Sequence, residues 1–293
     1  MNRRTFTAGL IAMSLAGCVS RGNQISVGSK NFTEQLILGE ILAQTLERLS
    51  SAPVERRFFL AGTYICHQAL IAGRIDMYVE YTGTALGAIL KEQPSADHSL
   101  VLQRVREEYR RRFELEIMQP LGFNNSFAVI MRGDDARRLS IKTLSELAQA
   151  APNLRLGVGY EFLERHDGYS GLASTYQLKF SEAPRVMDLG LLYRAIQAKR
   201  VDVIVGANTD GLIEALDLAV LDDDRKYFPP YEAVPIVRGA SLKDHSAIGE
   251  AVARLAGKIS AEEMRKMNYA ADGRKEDVAA IARSFLASHP LQV

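Results

Sequence analysis

Val27–Gly28–Ser29–Lys30–Asn31–Phe32–Thr33–Glu34–Gln35 carries an apolar strand through a polar turn into a helix. The strand reads from residue 24 to residue 28. Beyond the turn, Phe32, Leu36, Ile37, Ile41, Leu42, Leu46 and Leu49 recur at helical spacing and give the helix one apolar face. Ser29 or Asn31 offers a side-chain oxygen to cap its first turn. A strand that feeds a helix through a short turn is the building unit of a sheet with helical cover. The unit repeats downstream. Residues 54–60 read as a strand, and 63–72 as a helix closed by Gly73. Residues 75–79 read as a strand before a helix over 83–90. A charged helix over 98–112 precedes a strand at 115–118.

A second α/β unit follows. Strands are expected at 126–131, 154–158, 185–187 and 201–205, with helices at 144–150, 169–176, 189–199 and 210–216. After Asp222–Asp223–Asp224 and the Pro229–Pro230 break comes one more strand, 233–237. Helices at 246–259, 261–270 and 275–287 complete the chain. No repeat of fixed period is visible, and no low-complexity linker separates the two units.

The chain has 293 residues, 47% hydrophobic and 24% charged, with 36 Lys and Arg against 35 Asp and Glu. This composition excludes a disordered chain, a collagen and a disulfide scaffold. The length suits about two domains. The balanced charge offers no broad basic surface, so nucleic acid is not an expected partner.

The N-terminus reads as an export address. Met1–Asn2–Arg3–Arg4 is basic, residues 7–15 are small and apolar, and Leu15–Ala16–Gly17–Cys18 matches a lipoprotein signal box. In signals of that kind the leader, here 1–17, is removed and Cys18 is lipidated. Arg3–Arg4–Thr5–Phe6 also resembles a twin-arginine motif. The apolar stretch 8–19 is too short to span a bilayer, which needs roughly 20 residues. A buried N-terminal helix would need an amphipathic period that this segment lacks. Loss of the leader removes two arginines and takes the net charge from +1 to −1. Cys66 is then the lone thiol. It reads as a buried, inert cysteine. A dyad with His67 is disfavoured, because helical neighbours point about 100° apart.

Signs of catalysis are missing. There is no G-x-S-x-G elbow, no Walker loop and no H-E-x-x-H. Gly157–Val158–Gly159 lacks the third glycine of a dinucleotide loop. The five histidines, at 67, 98, 166, 245 and 289, are scattered, and His166 beside Asp167 has no nucleophile to serve. Asp222–Asp223–Asp224 reads as a solvated loop rather than a metal site, and Arg254, Lys258, Arg265 and Lys266 as helix surface. No enzyme, metal or cofactor is expected.

The opening stretch resembles the start of the osmoprotectant-binding proteins, the solute receptors of ABC importers for glycine betaine, choline and related compounds. Further segments fall in that family's order: Glu80–Tyr81–Thr82–Gly83–Thr84, Gly122–Phe123–Asn124–Asn125–Ser126–Phe127, Phe162 to Tyr169, Asn208–Thr209–Asp210–Gly211, and Phe228–Pro229–Pro230–Tyr231 with Pro235. The resemblance covers nearly the whole chain after Cys18. It implies a two-lobed α/β fold of the type II periplasmic-binding-protein class, with a hinge between lobes. One lobe would be 24–123 with 228–293, and the other 124–227.

A betaine has a trimethylammonium head that donates no hydrogen bond and is best held by aromatic faces. Its carboxylate suits a cationic partner, Arg above all. The resemblance places the aromatic cage at Tyr81, Phe127, Ala207 and Tyr231. Phe127 lacks a hydroxyl, and Ala207 lacks the wall altogether. At about 0.5–2 kcal/mol per aromatic face, that loss weakens a small betaine roughly 2- to 30-fold, or else admits a larger ligand. Without the motifs, Tyr81 and Tyr231 would read as ordinary half-buried tyrosines. Lys30 and Arg165 match ligand-carboxylate positions, with a salt bridge to Glu161, Glu164 or Asp167 as the other reading of Arg165. Thr84 offers a hydroxyl, or a plain helix cap. Asn124 and Asn125 fall at the expected interlobe crossing, or form a turn.

The expected protein is therefore a monomeric, exported, periplasmic or cell-surface lipoprotein held to the membrane by its N-terminal lipid. It would capture a small zwitterionic or cationic ligand and pass it to an ABC permease driven by its ATPase subunit. A ligand-sensing role on the same fold stays open. So does a larger betaine-like ligand in place of glycine betaine, choline, proline betaine or carnitine.

Overall fold

The computed structural model describes residues 24–93, 95–165 and 167–289. The expected leader and Cys18 lie outside the described residues. The first unit runs β1 (Ile25–Gly28), α1 (Thr33–Leu49), β2 (Val54–Arg57), α2 (Thr63–Ile71), β3 (Met77–Tyr81), α3 (Thr82–Thr84), α4 (His98–Phe113) and β4 (Leu115–Ile117). Between α3 and α4 the chain widens into a π-helical turn over Ala85–Leu90. The second unit runs β5 (Phe127–Arg132), α5 (Gly133–Leu139), α6 (Leu144–Ala150), β6 (Leu156–Val158), α7 (Tyr160–Glu164), α8 (Tyr169–Tyr176), β7 (Arg185–Val186), α9 (Leu189–Gln197), β8 (Val203–Ala207), α10 (Leu212–Ala215) and β9 (Leu218–Val220). The chain then returns through β10 (Ala233–Arg238), α11 (Gly239–Asp244), α12 (Ser246–Leu255), α13 (Ala261–Asp272) and α14 (Val278–Ser288).

These strands form two five-stranded sheets, ordered β2-β1-β3-β10-β4 and β7-β6-β8-β5-β9. The two orders share one logic. In the first sheet β10 runs antiparallel to both β3 and β4. In the second, β5 runs antiparallel to both β8 and β9. Each of these strands is the first that the chain makes after crossing from the other sheet. A strand arriving from outside enters its sheet from the opposite end, so it lies antiparallel to strands built by local strand–helix returns.

Each sheet buries both faces. One face of the first sheet carries Ile37, Ile41, Leu42 and Leu46 of α1 against Ile248, Val252, Ile281 and Phe285 of α12 and α14. The opposite face carries Cys66, Leu70, Val105 and Tyr109 of α2 and α4. The second sheet packs Leu144, Leu147, Leu172 and Tyr176 on one face and Leu192 and Ile196 on the other. Strands covered on both sides must be apolar throughout, which is why Val203–Ile204–Val205 shows no alternation.

Several local expectations are corrected. Neither Ser29 nor Asn31 caps α1; the capping position is Phe32, which makes no side-chain cap. The Ser29 hydroxyl instead accepts the Phe59 N–H at 3.1 Å. Strand β2 ends at Arg57 because Phe59 and Ala61 turn left-handed, with φ of 63° and 64°. Strand β8 extends to Ala207, two residues past its expected end, and α10 starts only at Leu212. The short α5, α7, α11 and β9 carry too few residues to show a period, and sequence reading missed them. Cys66 is a buried free thiol; burial pushes its pKa up to about 12. Burial also lowers the pKa of His67, whose ring sits edge-on to Tyr109 and Phe113. Asp223 is no mere solvated acid. It accepts the Tyr176 hydroxyl and the N–H groups of Tyr227 and Phe228, fixing the turn that leads back to the first sheet.

The far end of the second sheet is stapled by Asp202, which accepts from Arg132 of β5 and from the Arg155 N–H and guanidinium. Burial pushes the Asp202 carboxyl up, but the Arg155 and Arg132 hydrogen bonds outweigh it and hold the pKa at about 2. The staple's contribution is therefore full above the ordinary Asp value of about 3.9 and is lost as pH falls toward about 2. Asp202→Asn should cost roughly 1–2 kcal/mol near neutral pH, allowing for its part exposure. Urea melts should show the gap between variant and parent closing on acidification. A gap independent of pH would show that the staple is not ionic.

Candidate functional site

Two crossings join the units, and they are tied to each other. Residues 124 and 232 pair as an antiparallel bridge. The Asn124 side-chain oxygen accepts the Tyr231 N–H at 2.5 Å, and the Asn125 N–H donates to the Tyr231 carbonyl at 2.9 Å. Thr82 completes the joint: its hydroxyl donates to the Pro230 carbonyl and accepts the Glu232 N–H, each at 3.1 Å. Asn124 and Asn125 thus do lie where the chain crosses. The hydroxyl that works there is that of Thr82, not Thr84. Helix α3 begins at Thr82, and Thr84 makes no cap hydrogen bond.

The aromatic positions converge around this joint. Tyr81 ends β3 and Tyr231 precedes β10, and each is only 5% exposed. Phe127 opens β5, with its ring centroid 6.3 Å from that of Tyr231 and 5.9 Å from that of Phe228. The Arg165 guanidinium lies 5.2 Å from the Phe127 centroid and 5.9 Å from that of Tyr231. Ala207 pairs directly with Phe127 across β5 and β8, so its methyl stands on the same sheet face as the Phe127 ring.

Both candidate cations carry their own anion. Arg165 makes two hydrogen bonds to Asp167, at 2.7 and 2.8 Å, and one to the Tyr231 hydroxyl at 2.7 Å. That hydroxyl in turn donates to Asp167. Lys30 is buried against Glu80 at 2.5 Å, with its ammonium 4.6 Å from the Tyr81 ring centroid. A buried ion pair is costly unless its remaining lone pairs are filled. Glu80 meets that demand by accepting the Tyr81 N–H and the Tyr78 hydroxyl.

A second seam joins the units away from the crossings. The Asn268 side chain on α13 donates to the Thr209 carbonyl at 2.8 Å, and Arg265 donates to the Asn208 carbonyl at 3.0 Å. Gly211 presses on the α13 backbone so closely that a Cβ would stand 2.3 Å from the Tyr269 nitrogen. Arg265, expected on open helix surface, is thus part of a contact between the two units.

Glu34 is the residue that sequence reading missed. It lies in the first turn of α1 and is 4% exposed. One carboxylate oxygen accepts the Tyr81 hydroxyl at 2.5 Å and the Asn125 amide at 2.8 Å. The other accepts the Asn268 amide at 3.1 Å, and the Thr209 hydroxyl also donates to the carboxylate. Burial raises its pKa and these four hydrogen bonds only partly oppose the rise. An acid in a first helical turn ordinarily reads as a partner of the helix dipole, so no signal in the sequence set Glu34 apart. A cavity of about 570 Å³ opens beside this region, lined by His98, Asn124, Phe127, Asn208, Asp223 and Phe228 among others.

The two sheets, their inverted strands and the paired crossings define a two-lobed binding protein. The chain belongs to the family described as the substrate-binding domain of ABC-type glycine betaine transport systems, matching it over residues 23–288. It is similar to the carnitine transport binding protein OpuCC of Listeria monocytogenes, at 34% identity over 91% of this chain and 87% of that protein. It is also 34% identical to the ergothioneine transport permease/ergothioneine binding protein EgtU of Helicobacter pylori, over 89% of this chain and 46% of that one. A solved structure of a glycine betaine/carnitine/choline ABC transporter protein superposes with a TM-score of 0.86 at 32% identity, covering 91% of this chain and 99% of that one. The protein is a substrate-binding component of an ABC importer, and such components work outside the cytoplasm. The family consists of transport receptors rather than enzymes.

One glycine sets the position of Tyr231. A Cβ on Gly83 would stand 2.7 Å from the Pro230 carbonyl oxygen and 2.8 Å from the Tyr231 ring. Because one obstacle is backbone, side-chain movement alone cannot make room. Gly83→Ala should displace the Tyr231 ring and cost about 1–3 kcal/mol. Urea denaturation measures this, and an unchanged midpoint would mean that the crossing yields freely.

Proposed function

We propose that the protein captures a small quaternary-ammonium or betaine-like solute between its lobes and delivers it to an ABC permease and its ATPase subunit. The supporting observation is the aromatic pair Phe127 and Tyr231, one from each unit, with the Arg165 guanidinium held over both. Faces that attract an internal cation suit a ligand ammonium group. On this reading Tyr81, Phe127 and Tyr231 hold the ammonium head, and Ala207 marks a missing wall. Arg165 and Lys30 supply the cationic end for a ligand carboxylate, and Thr84 adds a hydroxyl. The lobes are 24–123 with 228–293, and 124–227, and the protein acts as a monomer. Closure would be a hinge motion about the two crossings.

A larger ligand is the second reading, and Ala207 is the observation behind it. A methyl on that sheet face fills less of the space beside Phe127 than an aromatic side chain would. The Helicobacter pylori relative, whose name records ergothioneine binding, is consistent with a family pocket of variable size.

Calorimetric titration with glycine betaine and choline tests both readings. Ala207→Tyr should tighten a small betaine roughly 2- to 30-fold and weaken a bulky ligand. Tyr231→Ala should weaken either, and Arg165→Ala only ligands that carry an anion. If Ala207→Tyr gains nothing and Tyr231→Ala binds normally, the cage lies elsewhere.

The same proposal includes a membrane anchor. Cleavage after residue 17 and lipidation of Cys18 would tether the protein to the membrane. Cys18→Ser should release it into the soluble fraction while leaving ligand affinity unchanged. A variant still held in the membrane fraction would rule out lipid at Cys18 as the anchor.

A further inference from the structure

We propose that Glu34 is the counter-charge of the bound ammonium group, and that capture of a cation drives one proton from its carboxyl into solvent. This rests on the aromatic-cage reading above and adds to it an acid that no aromatic motif includes.

The geometry leads there in three steps. First, Glu34 touches the cage directly through the Tyr81 hydroxyl. It also touches the turn just beyond the missing wall, since Thr209 lies two residues after Ala207. The carboxylate therefore joins the Tyr81 wall to the turn that follows Ala207. Second, the hydrogen bonds it receives come from neutral groups: Tyr81, Asn125, Asn268 and Thr209. The candidate cations of the site face other carboxylates, Lys30 facing Glu80 and Arg165 facing Asp167. Third, a quaternary ammonium donates no hydrogen bond. It needs a nearby negative charge whose lone pairs are already satisfied, and Glu34 is such a group.

The neighbouring ionisable groups leave this role open. On β3, Glu80 is turned to Lys30, and Tyr81 is a donor. On α13, Asp272 accepts the Thr33 hydroxyl and Arg265 reaches the Asn208 carbonyl. In the 208–211 turn, Asp210 accepts the Leu212 N–H. At the crossing, Tyr231 is held by Arg165 and Asp167. On β2, Arg56 pairs with Glu40 and Glu47, and Arg57 with Glu55. On α12 and α14, Arg254 pairs with Glu250 and Arg283 with Asp277.

Both protonation states have partners. The Tyr81 and Thr209 hydroxyls can donate to a carboxylate or accept from a carboxylic acid, since a hydroxyl does either. Burial favours the neutral acid in the empty site. A cation within a few ångströms favours the anion. On binding, the carboxyl O–H bond breaks, its electron pair stays on Glu34, and the proton passes to water or buffer. The sign follows from linkage. A group whose pKa falls on binding releases protons, so affinity rises with pH and levels off above the pKa of the empty site.

Choline is the probe, titrated calorimetrically at about pH 5 and about pH 8 in buffers of different ionisation enthalpy. The expected result is severalfold tighter binding at the higher pH, because binding that releases a proton is favoured as protons are withdrawn. At the lower pH the binding heat should depend on the buffer, reporting proton release. Glu34→Gln, nearly isosteric, should bind choline with one weak affinity at both values and show no buffer dependence. PH-independent binding by the parent, or a pH dependence that survives in Glu34→Gln, would overturn the proposal and leave the cage intact. A uniform loss of affinity in Glu34→Gln with no proton release in the parent would reduce Glu34 to a latch between lobes, and also overturn it. Absence of choline and glycine betaine binding at either pH would overturn the cage reading and this one together. Should Glu34→Gln not fold, the buffer dependence of the parent decides alone.

Discussion

The hydrogen bond from the Tyr231 N–H to the Asn124 side chain holds the two chain crossings together, and the proposed site hangs from that joint. Tyr231 is itself one wall. Phe127 begins three residues after Asn124, and Tyr81 immediately precedes the Thr82 that closes the joint from the other side. A betaine receptor has to hold a group that forms no directional bond, so precision must come from the walls. On the proposed reading the walls are set by backbone-anchored positions at or beside strand ends.

The electrostatics follow a consistent plan. Each cation in the site is matched by a carboxylate of its own, Lys30 by Glu80 and Arg165 by Asp167. This removes the cost of burying unpaired charge. On the proposed reading, a ligand carboxylate would meet no bare cation and would share Arg165 with Asp167 and the Tyr231 hydroxyl.

The fold was largely legible from sequence, because long apolar periods mark α1 and the tail helices, and unbroken apolar runs mark strands covered on both faces. What escaped were elements too short to show a period, such as β9 and α5, and strand limits set by left-handed residues such as Phe59. The grouping of the candidate site residues was legible only where motif order carried it. Tyr81, Phe127, Arg165 and Tyr231 are brought to one region, and the salt bridge weighed for Arg165 is present with Asp167. Glu34 was not legible. Its burial depends on Asn268 and Thr209, which lie far along the chain, and no local pattern announces such a contact. Thr82 and Thr84 sit in one motif, and only the structure separates the one that ties the crossing from the other.

The packing of α1 against α12 and α14 has a consequence for how the molecule is made. The apolar face of α1 is covered by residues some two hundred positions later, as the Gln44 hydrogen bond to the Ala279 carbonyl illustrates. The second sheet is built from one uninterrupted stretch and can form before the chain crosses back. The first cannot be finished until the chain has crossed back. Contacts so distant in sequence are slow to form, so folding should proceed from the middle outward. During that interval α1 presents an uncovered greasy stripe, and a helper that shields it would raise the yield of native protein more than any stabilisation of the second sheet.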